Sequence, residues 1–184
     1  MKYKLEKSTR KSISVQIRGG EIIVRAPLRM KKEDIDLFLE KHRGWIEENL
    51  EKAQAAKEKI EKAPPLTHSD LEKLAEKALE VIPPRVEYYA GLLGVKYSKI
   101  TVRNQKTRWG SCSSKGNLNF NCLLMLAPPE VLDSVIVHEL CHLKEMNHSK
   151  RFYDEILRIF PDYYKHHAWL KENGDVLVGR MLNK

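Results

Sequence analysis

The string His138-Glu139-Leu140-Cys141-His142, followed after five residues by His148, constrains this chain more than any other part of it. Residues four apart lie on one face of a helix, one turn up, so a helix here aims His138 and His142 at a common point. If that helix ran on unbroken, His148 would stand roughly 15 Å above His138, too far to share one ion. The helix must therefore stop soon after Leu143 and the chain must turn back. Asn147, tolerant of left-handed φ/ψ, is the expected turn residue. Ser149 is the expected cap of a following helix.

Three neutral imidazoles with a fourth position open are the ligand set of a catalytic zinc, whereas structural zinc is closed by four protein ligands. Glu139 lies about 100° round the helix from His138, beside the metal rather than among its ligands. There it can take the proton of an attacking water and pass it to a leaving amine. The pattern thus points to a zinc hydrolase acting on peptide bonds, with His138, His142 and His148 as metal ligands and Glu139 as general base. A downstream carboxylate, Glu155 or Glu172, is the alternative third ligand. Zinc is inferred from ligand type, and other divalent ions also take imidazole. On an ordinary surface helix the same residues would be a salt-bridge pattern. Here the flanks Val135, Ile136, Val137, Leu140 and Leu143 are apolar, and burying two histidines and a carboxylate among them is costly without a purpose. Cys141 faces away from both ligands and reads as a small core residue.

At 184 residues, with 42% apolar and 8% aromatic residues, the chain has the composition of a globular domain with a small appendage. Lys+Arg number 33 against Asp+Glu 25, a net charge of +8, so an anionic nucleotide or nucleic-acid ligand is a possible partner beside a protein or peptide substrate. Cys112, Cys122 and Cys141 are odd in number and lack C-x-x-C spacing, which fits a reducing compartment. The first residues carry positive charge but no apolar h-region, unlike a secretory signal. The apolar run Leu123 to Ala127 is far short of the roughly 20 residues that span a bilayer. A cytoplasmic protein without a membrane segment is expected.

Residues 12–26 alternate as a β-hairpin about Gly19-Gly20. One long helix is expected from about Lys31 to Lys62, and Pro64-Pro65 marks a boundary between an appendage, 1–65, and a main domain, 66–184. Thr67 and Asp70 form a capping-box start for an apolar helical stripe that Pro83-Pro84 should kink or restart and Gly94 should end. Lys99–Arg103 and Gly116–Leu124 read as strands, Pro128-Pro129 opens the metal-motif helix, and two helices follow, 149–160 and 161–173. The order implies an α+β fold.

Arg108-Trp109-Gly110-Ser111-Cys112-Ser113, then Gly116, Asn121, Pro128, Val137 to Leu143, Asn147-His148-Ser149 and Phe152, resemble the YgjP-like metallopeptidase family, a relative of the SprT-like zinc proteases. Arg10 to Ile13, Val24 to Pro27 and Trp45-Ile46 extend the likeness over most of the chain. The resemblance implies a minimal zincin-like fold: a small mixed sheet on the active-site helix, the same three histidine ligands, and Glu139 as base. It also implies an edge strand that pairs with extended substrate, for which residues 117–122 are the candidates. Tyr153, Tyr163, Tyr164, His166 and His167 are candidate oxyanion donors. Arg108 and Trp109 read as structural rather than substrate-contacting residues. Lys2, Lys4, Lys7, Arg10 and Lys11 suit either phosphate contact or a lysine-protected strand edge. Two other functions fit the same residues: hydrolysis of a nucleotide phosphoanhydride (a nucleoside triphosphate pyrophosphatase), and a nucleic-acid-binding module supported by metal.

Overall fold

A computed structural model describes residues 1–18 and 20–181. The chain divides into two units, Met1–Pro64 and Pro65–Lys184. Among the described residues no helix is long and apolar enough to cross a membrane.

The first unit is a three-stranded sheet with two helices. Strands β2 (Ser14–Arg18) and β3 (Glu21–Pro27) form the expected hairpin. Gly20 has φ 82°, a conformation that favours glycine, while Gly19 lies outside the described residues. Strand β1 (Lys4–Ser8) adds in parallel to the other edge of β3, which the charged sequence Lys-Leu-Glu-Lys-Ser hides from any alternation rule. The expected lysine-rich lead is therefore an edge strand. Val24, Ala26 and Ile22 pack with Ile35, Leu39 and Ile46 in a small core. The single long helix that was expected is two, α1 (Lys32–Lys41) and α2 (Arg43–Lys62). At the break, Nδ1 of His42 lies 2.7 Å from the Phe38 carbonyl oxygen. A side chain bound to the backbone in this way competes with helix continuation, and Gly44 lowers propensity just beyond.

The second unit is built around one buried helix. Helix α3 (His68–Leu93) starts in the expected capping box: Asp70 N–H donates to Thr67 Oγ1 at 3.2 Å, and Thr67 N–H to Asp70 Oδ2 at 2.9 Å. It ends at Gly94, φ 68°. Pro83 and Pro84 do not restart it. The carbonyls they leave without donors belong to exposed Leu79 and Glu80, where water can serve, and the buried stripe Ala78, Ile82, Val86, Ala90 holds the helix through.

Strands β4 (Lys99–Arg103), β5 (Gly110–Cys112) and β6 (Asn117–Asn121) form a mixed sheet in the order β4-β6-β5. β6 is parallel to β4 and antiparallel to β5. Residues 117–122 are thus central, not the expected edge; the edge beside the motif helix is β5. Only three residues long, with glycine and serine in it, β5 escaped the alternation test. β6 alternates as expected, with Leu118 and Phe120 buried, but stops at Asn121. Residues Cys122–Leu126 turn into a short 3-10 helix begun by Asn121, whose side-chain oxygen accepts from Leu123 N–H at 3.1 Å.

Helix α4 (Pro129–Cys141) carries the metal motif. It is apolar almost all round, as a helix buried on every side must be: Val131, Leu132, Val135, Ile136, Val137, Leu140 and Cys141 are all buried. Helices α3, α5 (Lys150–Ile159) and α6 (Tyr163–Gly179), with β5, enclose it. Cys141 is a core residue, as expected. Helix α6 runs past the expected end at 173 because Gly174 is no terminator. It is buried against Trp109, and a Cβ there would lie 3.0 Å from the indole. The observed fold is α+β, with the small mixed sheet packed against the motif helix.

Asn121 locks the loop ahead of β5. Its side-chain amide donates to the carbonyls of Gln105 (2.7 Å) and Arg108 (3.0 Å), while its own N–H donates to the Trp109 carbonyl at 2.9 Å. Asn121→Ala should therefore cost about 1–3 kcal/mol, read as a lowered urea midpoint at unchanged m.

Candidate metal centre

Helix α4 ends at Cys141, with His142 as its C-terminal cap. The chain then turns back through tightened bonds: Leu143 N–H to Leu140 O, and Lys144 and Glu145 N–H to Cys141 O, each 3.0 Å. Among the described residues no non-glycine residue has positive φ, so Asn147 does not make the turn by a left-handed conformation. It contributes its carbonyl, which accepts from Ser149 N–H at 2.8 Å. Ser149 then caps α5 as expected, its hydroxyl accepting from Phe152 N–H.

This return brings His148 to the other two histidines. One ring nitrogen from each of His138, His142 and His148 lies within 4.8 Å of the others. Nε2 of His148 stands 3.2 Å from Nε2 of His138. Phe152, fully buried, is the common floor: its ring centroid lies 4.9, 4.6 and 4.8 Å from those of His138, His142 and His148. Glu155 pairs instead with Lys144 (2.9 Å) and Arg158 (3.1 Å), and neither it nor Glu172 joins the cluster.

The donor set fits a divalent cation. Burial, reinforced by the neighbouring imidazoles, lowers the His138 pKa to about 3, and burial also lowers that of His142. Both rings are therefore neutral near pH 7, the form that ligates. Their other nitrogens are taken. With Nε2 turned to a metal, His138 Nδ1–H donates to the Tyr163 hydroxyl at 2.9 Å, and that hydroxyl also lies 3.4 Å from His167 Nδ1. His142 Nδ1–H donates to the Glu145 carbonyl at 3.2 Å. Such outer partners fix the tautomer and present Nε2 to a metal. Tyr163, a candidate oxyanion donor by sequence, is instead bound to a candidate ligand.

An open cleft of about 320 Å³ is lined by these three histidines with Glu139, Arg108, Gly110, Ser111, Cys112 and Met146. None of Tyr153, Tyr163, Tyr164, His166 and His167 is among its lining residues. Glu139 is 6% exposed, and its carboxylate lies against the backbone of β5. A Cβ on Gly110 would come within 2.6 Å of Glu139 Oε1 and 2.7 Å of its Cγ. Glycine in a strand often marks such a close approach, the signal by which Gly110 was legible but passed over. Burial pushes the Glu139 carboxyl up to about 8, with Arg108 pulling the other way. Arg108, expected to be structural, lines the cleft; Trp109 packs into the core beside Gly174, as expected.

The family described as "YgjP-like, metallopeptidase domain" matches residues 11–72 and 69–173. A curated UTP pyrophosphatase of Escherichia coli (strain K12) is 32% identical over 60 residues, and the match spans only about a third of either protein: 33% of this chain and 36% of the relative. Among solved structures, half of the chain (50%) is similar to 94% of the metallopeptidase zymogen of Pyrococcus abyssi abylysin, at 21% identity and a TM-score of 0.46. The same share is similar to 95% of the metallopeptidase zymogen of Methanocaldococcus jannaschii jannalysin, at 23% identity and 0.45.

Tyr163→Phe removes the acceptor of His138 Nδ1–H and leaves the aromatic packing. It should weaken zinc binding about 10- to 100-fold in a competition titration, with little change in the thermal midpoint of the metal-free protein.

Proposed function

This chain belongs to the YgjP-like metallopeptidase family and is a metal-dependent hydrolase; we propose that it is a zinc peptidase whose ligands are His138, His142 and His148 and whose general base is Glu139. The observation that carries this reading is the convergence of three neutral imidazoles beside a buried carboxylate and a free strand edge, all on one cleft.

Bound zinc supplies Lewis acidity, polarising a scissile carbonyl and making water a better nucleophile near neutral pH. The protein supplies the rest. The outer edge of β5, which pairs with no further strand among the described residues, suits an extended peptide that adds by main-chain hydrogen bonds. Pairing there lays the peptide across Gly110 and Ser111, over Glu139. The Glu139 carboxylate takes the proton of the attacking water and delivers it to the leaving amine. Gly110, lacking a Cβ, lets the strand approach the carboxylate closely enough for one group to serve water and substrate. The three cysteines are free, which accords with a reducing, cytoplasmic setting.

A second reading, hydrolysis of a nucleotide phosphoanhydride with the same residues, is favoured by one finding, the partial match to a protein named UTP pyrophosphatase. The two separate in one comparison. Zinc-loaded wild type and Glu139→Gln are assayed on an unstructured protein and on a nucleoside triphosphate panel. Peptide cleavage that falls about 10²–10⁴-fold in the variant, while zinc stays bound, supports the peptidase. Loss of pyrophosphate or phosphate release instead supports the second reading, and equal turnover by both proteins removes Glu139 as base. Gly110→Ala should retain zinc but lose on the order of 10²-fold in turnover, the scale of a misplacement of about 1 Å, measured as kcat at saturating substrate.

A further inference from the structure

Building on the peptidase reading, we infer that Arg108 is a specificity-determining residue that selects peptides bearing an acidic side chain near the scissile bond. The charge along the stretch of chain that supplies one wall of the cleft is one-sided. Between Tyr88 and Pro129 the sequence holds six basic residues, Lys96, Lys99, Arg103, Lys106, Arg108 and Lys115, and no Asp or Glu. That span contains all of β4, β5 and β6 and the loops joining them. One of these cations, Arg108, lines the cleft itself, together with the three histidines and Glu139. It is exposed, and among the described residues no carboxylate forms an ion pair with it.

The backbone at Arg108 is also held in place before any ligand arrives. The buried amide of Asn121 donates to the carbonyls of Gln105 and Arg108, and Asn121 N–H donates to the carbonyl of Trp109. The Trp109 ring packs against Gly174, and the next residue, Gly110, begins β5. The guanidinium therefore projects from a fixed backbone at the entrance to the strand edge that receives substrate. An arginine on a fixed backbone gains most from a carboxylate it can grip with two N–H groups. The chemistry around it favours a peptide over a nucleotide. Main-chain pairing along β5 runs straight into Arg108, while no glycine-rich phosphate loop is present in the sequence.

The test is a set of otherwise identical unstructured peptides with Glu, Gln or Lys scanned through the positions flanking the cleaved bond. Full-length zinc-loaded wild type, Arg108→Gln and Arg108→Glu are compared by kcat/KM ratios, so that any general loss cancels. Wild type should favour Glu over Gln at one flanking position by about tenfold, less at high salt. Arg108→Gln should bring that ratio close to one, and Arg108→Glu should invert the order of Glu and Lys. Unchanged ratios in both variants overturn the inference, as does a uniform loss on every peptide, which would make Arg108 a general stabiliser of the reaction. Turnover of nucleoside triphosphates that depends on Arg108, with peptides untouched, also overturns it. If wild type cleaves peptides without regard to charge, this inference fails and the peptidase reading stands; if it cleaves none in a zinc-dependent way, the peptidase reading fails first.

Discussion

A helix buried on nearly every side has to end at the imidazoles it carries, and the rest of the second unit follows from that constraint. Helix α4 is apolar enough to be wrapped by α3, α5, α6 and the β5 edge. Continuing it by two turns would carry His148 away from His138. The tightened turn after Cys141, the Ser149 cap and the insertion of Phe152 beneath the three rings form one device for reversing the chain within a few residues.

Burying polar groups at the end of such a helix is expensive unless each is matched. His138 is matched by Tyr163 and His142 by the Glu145 carbonyl, while Glu139 feels the opposite charge of Arg108. The same pairings serve chemistry. Neutral, tautomer-fixed imidazoles bind a cation well, and a carboxylate beside them can take and return a proton. Stability and reactivity thus draw on the same few contacts, and a substitution at Tyr163 or Gly110 acts on both.

The clustering of the three histidines was legible because their spacing demanded a chain reversal that Ser149 independently supported. The capping box at Thr67, the stop at Gly94 and strand Lys99–Arg103 were legible for the same reason: local chemistry and global position agree. What escaped was decided by tertiary contact. Strand β1 has a charged sequence and exists because β3 offers it an edge. The edge strand β5 is three residues of mostly small side chains, so substrate pairing was placed on its neighbour, residues 117–122. Pro83-Pro84 looked like a break but yields to a buried stripe, and the last helix continues past 173 through Gly174, where Trp109 packs. His42 splits a helix that periodicity alone would continue. Tyr163 drew attention as an aromatic hydroxyl near the motif, yet only its 2.9 Å approach to His138 shows that it is bound to a candidate ligand.

X-ray absorption at the zinc edge of the zinc-loaded protein tests the proposed centre most directly. One ion per chain surrounded by three imidazoles and one non-protein oxygen, with an imidazole lost in His148→Ala, is the expected spectrum. A sulfur scatterer, a fourth protein ligand, or an unchanged imidazole count in that variant would contradict the open three-histidine site.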